Sequence, residues 1–188
     1  MIFLKSYQQG VIKWGKVVGG GLFFIYFYKT NTVFVMVTFI GDFVCKSDSK
    51  GRIVLPALFK KAMSAGEQQC FVVRKDLFED CLVMVPYDAW LEEVKLLEDK
   101  LSSYRQKDRR LKRALYKSTA EINLDANGRF LIPKRLMEMI NVKGEVVLLG
   151  VGSNIELWSK QRFEEEDMQG EELGYLAEDL LGSAMVED

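Results

Sequence analysis

Asp48-Ser49-Lys50-Gly51-Arg52 and Asp125-Ala126-Asn127-Gly128-Arg129 place an acid, a glycine and an arginine at one fixed spacing, twice in the chain. Glycine reaches positive φ without steric cost, and an Asp side chain accepts the backbone N–H bonds that fix a reversal, so Asp48, Gly51, Asp125 and Gly128 are read as turn formers. Each arginine stands at the rim between turn and strand. Its five-donor fork has two uses open to it: pairing with the motif Asp to brace the turn, or pointing outward to phosphates and guanine edges. The flanks differ between the two stretches. Lys46, Lys50, Lys60 and Lys61 surround Arg52, whereas Asn127 stands where Lys50 does and Met137-Glu138 where Lys60-Lys61 do, near Arg129. The first stretch is therefore expected to carry the stronger polyanion contact, through Lys46, Lys50, Arg52, Lys60 and Lys61, with Arg129 as its counterpart in a second stretch that acts more as scaffold.

Most catalysis is excluded by what is missing. The chain has no histidine, which removes Ser-His-Asp and Cys-His nucleophiles, histidine zinc sites and the commonest neutral-pH base. Cys45, Cys70 and Cys81 are odd in number and lack C-x-x-C spacing, so reduced, buried, cytoplasmic thiols are expected rather than disulfides or metal ligands. Gly19-Gly20-Gly21 precedes no helix start with Lys-Ser/Thr, so no phosphate-cradling loop is signalled. The expectation is a non-enzyme without metal or cofactor.

The formal net charge of −1 over 188 residues argues against nucleic acid only until its distribution is seen. Ten carboxylates and no Lys or Arg lie between Glu164 and Asp188, so residues 1–163 carry +9. A basic body with an acidic tail suits a polyanion binder. Such a tail can also act as an internal mimic of nucleic acid that weakens non-specific binding.

The elements that must hold the arginines follow from an internal repeat. Residues 47–56 overlay residues 124–133 at a constant offset of 77, matching Asp, Gly, Arg and Pro with apolar residues between. Ile53 to Leu55 and Phe130 to Ile132 read as buried strand, and Pro56 or Pro133 ends the strand and opens a helix, where its missing N–H costs nothing. Helical patterns follow over Ala57 to Met63 and Lys134 to Ile140, then turns containing Gly66 and Gly144. Strands are expected over Phe71 to Arg74 and Leu82 to Val85, and over Val146 to Leu149 and Ile155 to Trp158. Each repeat is thus a β-β-α-β-β unit too small to bury a sufficient core alone, so the halves should pack into one β-rich α+β body.

Between them Trp90, Val94, Leu97, Leu101, Tyr104, Leu111 and Leu115 recur at helical spacing as one apolar stripe, on one long helix or two short ones. From Lys100 to Lys117 the other faces hold eight basic residues against one acid, Asp108. Three readings are open for this basic face: a solvated surface, a phosphate contact, or a seat for an acidic segment. Residues 1–35, with four lysines and no acid, are foreign to the repeat. Their apolar run falls short of the roughly 20 residues that span a bilayer, and no cleavage site follows. They read best as an upstream extension with Met36 as the natural start, an ordered segment or a membrane contact being the alternatives.

From Met36 to about Glu166 the sequence resembles the MraZ transcriptional regulators, whose two tandem repeats belong to the SpoVT-AbrB class of swapped-hairpin barrels. The resemblance rests on the paired Asp-x-x-Gly-Arg motifs in register, Phe39-x-Gly41, and Cys81-Leu82 followed by Pro86 and Trp90. It extends to Val146-Val147-Leu148-Leu149-Gly150 and Ile155-Glu156-Leu157-Trp158. Ser47 departs from the aliphatic residue usual before the first Asp, and an N-terminal extension of this size could obstruct assembly. The resemblance implies a swapped-hairpin AbrB-like double barrel with a first repeat at 36–90, a helical linker at 91–117, a second repeat at 118–163 and an acidic helical tail at 164–188. It implies a cytoplasmic, nucleoid-associated protein that forms a homo-oligomeric ring and binds double-stranded DNA at short promoter repeats of the division and cell-wall gene cluster, typically as a repressor, with no membrane partner. The rival reading is an AbrB-like protein-interaction or antitoxin-type module.

Overall fold

The computed structural model describes the backbone of strands between residues 3 and 35, and residues 37–63, 70–166 and 170–182. Met36 and the expected turn at Gly66 lie outside the described residues. In the N-terminal region β1 (Phe3–Gln8), β2 (Val11–Val18), β3 (Gly21–Phe27) and β4 (Val33–Val35) pair in chain order as an antiparallel sheet of their own. No described helix is long and apolar enough to cross a membrane.

The remaining elements follow the β-β-α-β-β order twice. The first set is β5 (Phe39–Cys45), β6 (Arg52–Val54), α1 (Ala57–Met63), β7 (Cys70–Lys75) and β8 (Leu82–Pro86). The second is β9 (Thr119–Asn123), β10 (Arg129–Leu131), α4 (Lys134–Met139), β11 (Val146–Gly152) and β12 (Asn154–Ser159). Between the sets lie α2 (Tyr87–Lys100) and α3 (Gln106–Lys117), and α5 (Lys160–Glu165) and α6 (Gly170–Gly182) close the chain.

The two sets are interleaved rather than stacked side by side. The large sheet runs β5-β11-β12-β8-β7-β9, all antiparallel, so the first strand of each repeat pairs with a later strand of the other. β11 and β5 approach closely at Gly150, where a Cβ would meet the Phe39 carbonyl carbon at 2.5 Å, so only glycine fits. This sheet is open, with β5 and β9 as its edges. Strand pairing therefore does not close the double barrel that the resemblance implies.

Alternation along the strands divides the core in two. Leu82 and Met84 face a large cluster built from both repeats, including Phe39, Ile53, Leu55, Phe59, Phe71, Phe130, Leu136, Leu148 and Leu157. Val83 and Val85 face the opposite side, where Cys81, Val147 and Trp158 are covered by Ala89 and Trp90 of α2 and Phe163 of α5. Phe59 anchors α1 by edge contacts to Phe39 and Phe43, with ring centroids 5.4 and 5.0 Å away. Burying each such ring contributes roughly 1.5–3 kcal/mol.

The apolar stripe between the repeats is split. α2 and α3 form a hairpin held by Lys112 Nζ on Glu98 Oε1 at 2.7 Å and an edge contact of Trp90 with Tyr116, with ring centroids 6.3 Å apart. The chain breaks between them because Asp108 Oδ2 accepts the Ser102 N–H at 2.8 Å, folding the link back onto the start of α3. Tyr104, placed in the stripe by spacing, falls in that link and is 99% exposed. Of the three cysteines only Cys81 is buried, with its thiol pushed up to about 12, chiefly by desolvation. Cys45 and Cys70 are half-buried, contrary to expectation, because they lie at strand ends near the rim of the sheet.

Candidate nucleic-acid interface

Each motif folds the same way. Asp48 Oδ1 accepts the N–H groups of Lys50 and Arg52, both at 2.9 Å, and Gly51 turns the chain at φ +78°. Asp125 Oδ1 accepts those of Asn127 and Arg129 at 2.9 Å, with Gly128 at φ +69°. The backbone closes both turns reciprocally, through Gly51 N–H to Asp48 O at 2.9 Å and Gly128 N–H to Asp125 O at 2.8 Å.

The arginines close over their own acids. Arg52 Nε donates to Asp48 Oδ2 at 2.8 Å and its Nη2 lies 2.6 Å from the same oxygen; Arg129 repeats this on Asp125 at 2.8 and 2.7 Å. The guanidinium bonds, the largest influence, hold both carboxyls down at about 2, well below the usual Asp value. Of the two uses open to the arginines, bracing the turn is thus realised. It occupies one edge of each fork, and Nη1 remains on the other.

The register of a short ladder brings the two turns together. β6 pairs with β10 so that Ile53 opposes Phe130, which are the same position in the two repeats. The ladder thereby has a local two-fold relation, and both buried side chains pin it to the core. Leu55 N–H adds a bond to Gly128 O at 2.9 Å, and Arg52 Nη1 reaches Asp125 Oδ2 at 3.9 Å. Two motifs 77 residues apart in sequence form one double turn.

Lys60 lies on the far side of this pairing from its own repeat. Its side chain crosses Gly128, where a Cβ would meet Lys60 Cδ at 2.6 Å and Nζ at 2.9 Å. A lysine counted with the first motif therefore supplies charge at the second. Of the cations counted with the first motif, Lys60 is the one placed against the second turn. Lys50 is exposed within the first turn. Lys61 is exposed on α1, one residue beyond Lys60. Lys46 follows β5 and is held 3.1 Å from Glu145 Oε1, while Lys160 contacts Oε2 of the same carboxylate at 2.9 Å. Sequence reasoning did not single out Arg135, which donates to the carbonyls of Lys117 and Thr119, both at 2.7 Å, and ties the end of α3 to the second repeat. Among the described residues no group of three Cys, Asp or Glu side chains is placed to hold a metal ion.

Fold and site together define an α+β chain whose interleaved repeats present a paired, arginine-braced double turn. The family model described as "MraZ protein, putative antitoxin-like" matches residues 115–173. A protein named transcriptional regulator MraZ from Bacteroides thetaiotaomicron is 33% identical over 153 residues, covering 81% of this chain and 98% of the relative. One of the same name from Phocaeicola vulgatus is 36% identical over 145 residues, covering 77% and 94%, and one from Clostridium tetani is 35% identical over 130 residues, covering 68% and 85%. The chain belongs to the MraZ family.

Proposed function

We propose that this chain is a transcriptional regulator that binds double-stranded promoter DNA through the double turn. The carrying observation is the β6–β10 ladder, which sets Arg52 opposite Leu131 and Arg129 opposite Val54, diagonal to each other, with Lys60 across Gly128. The Asp partners fix each fork in place, so little side-chain entropy remains to be lost when Nη1 and the neighbouring lysines meet phosphates. Lys46, Lys50 and Lys61 extend the cationic rim. The strand exchange between repeats supports a swapped-hairpin reading in which 36–90 and 118–163 are the repeats, 91–117 the linker and 164–188 the tail. The regulator acts as a non-enzymatic repressor of the division and cell-wall cluster, in the nucleoid. It works as a homo-oligomeric ring that engages several short repeats at once, so avidity of roughly 10²- to 10⁴-fold replaces single-site strength.

A mobility shift on the DNA upstream of the chain's own gene tests this. The expected result is a shift that weakens steeply with salt as counterions are released, and no shift at low salt refutes it. The antitoxin-like wording of the matching family model favours one second reading, a partner-binding module. That reading predicts a stable complex with a protein encoded beside it and no promoter shift.

A further inference from the structure

We propose that α6 of one subunit docks on the outward face of α3 of a second copy of the chain, and that this contact drives assembly. α6 cannot stand alone. It has 13 residues, at the margin of what an isolated helix sustains in water, and it makes no more than marginal contact with other elements among the described residues. Its Leu173, Leu176 and Leu180 recur at i, i+3 and i+7 as one ridge, and are 55%, 43% and 63% exposed. Such a ridge needs cover. Glu172 and Asp179 flank the ridge, Glu178 adds charge on the far face, and α6 carries no base.

The complementary surface is α3. Its Arg109, Arg113 and Lys117 follow one another at four-residue steps, with Arg110 alongside, all exposed. On α3 only Lys112 has an ion-pair partner among the described residues, and that pair points inward to Glu98 of α2. Leu111, 43% exposed, lies beyond Arg110 on the flank of this row. α2 beside it is net acidic and would repel the tail, so charge selects α3. Within one chain α6 stands unpacked, which points to another copy as the occupant. Joining two different surfaces makes the contact directional, the kind that closes rings.

The proposal rests on the assembly part of the reading above and not on DNA binding, so it is tested without DNA. Light scattering coupled to size exclusion is run at low salt on the full chain, on a tail variant (Glu172→Lys, Glu178→Lys, Asp179→Lys) and on a hairpin variant (Arg109→Glu, Arg110→Glu, Arg113→Glu), with circular dichroism confirming fold. The unaltered chain should be an oligomer, each variant should lose at least half its mass, and an equimolar mixture should regain it, since basic tails then meet acidic hairpins. An oligomer that persists in both variants overturns the docking alone. Failure of the mixture to reassemble places the contact within one chain and also overturns it. A hairpin variant that alone keeps its mass removes α3 from the contact and also overturns the docking. A monomeric unaltered chain defeats the assembly reading and the docking together.

Discussion

Arg52 Nη1 lies 3.9 Å from Asp125 Oδ2, so the arginine of the first repeat touches the acid that organises the second. The contact is long, but its direction matters: Arg52 is bonded to Asp48 and leans towards Asp125, while Asp125 is already bonded to Arg129. The double turn is one coupled unit of two acids and two arginines.

Arg52→Ala should therefore act on both binding and stability. Losing one phosphate-directed charge should lower the log–log salt slope of promoter binding by about one and weaken affinity about 10-fold. Losing the brace should lower Tm by about 2–4 °C. Arg52→Lys separates the two effects, because it keeps a charge but not the fork. Titrated mobility shifts and thermal melts measure them, and binding that Arg52→Ala leaves unchanged would remove Arg52 from the interface.

Gly51→Ala and Gly128→Ala should be equally costly to the backbone and unequal in binding. Both sites sit at positive φ, +78° and +69°, where a Cβ costs about 1 kcal/mol or somewhat more. Around Gly51 the nearest atom is Leu131 Cδ1 at 3.6 Å, an ordinary contact, whereas at Gly128 the new methyl would displace Lys60. Similar melting temperatures with weaker DNA binding in Gly128→Ala alone are expected. Equal binding by the two variants would show that Lys60 does not need its place across the turn.

Phe59→Ala should be the most damaging of these changes. The ring is buried and joins α1 to β5 through Phe39 and Phe43, so its removal leaves a cavity where two elements meet. A loss of about 3–5 kcal/mol is expected in urea unfolding. A loss under 1 kcal/mol would mean that the site collapses freely, and that α1 does not depend on Phe59 for its seat.

Much of this was legible beforehand because repeat, turn chemistry and strand alternation are local. Asp48 and Gly51 announce a turn, and Pro56 a helix start, from neighbours alone. The pairing of Ile53 with Phe130 was not legible, because nothing in either repeat says whether it meets itself or its counterpart. That choice is made by long-range burial of both side chains. Lys60 was placed beside its sequence neighbours for the same reason, and only the exchange of strands carries it to Gly128. Tyr104 fitted a helical stripe by spacing, but Asp108 captures the Ser102 N–H and breaks the helix first. Periodicity does not register a competing cap.

The pH dependence of the turns follows from their acids. Asp48 and Asp125 have folded-state values of about 2, below the unfolded value of roughly 3.9. A depressed carboxyl contributes its stability fully above the unfolded value and loses it as pH falls towards the folded one. The double turn should therefore be unaffected from pH 7 to about 5, weaken through pH 4 to 2, and be lost below about 2. Asn replacements should flatten this window: Asp48→Asn and Asp125→Asn lower Tm at pH 7, yet differ less from the unaltered chain at pH 2.5. Carboxyl carbon shifts followed by NMR report the titration directly, and midpoints near 4 for both acids would show that the arginines do not hold them in solution.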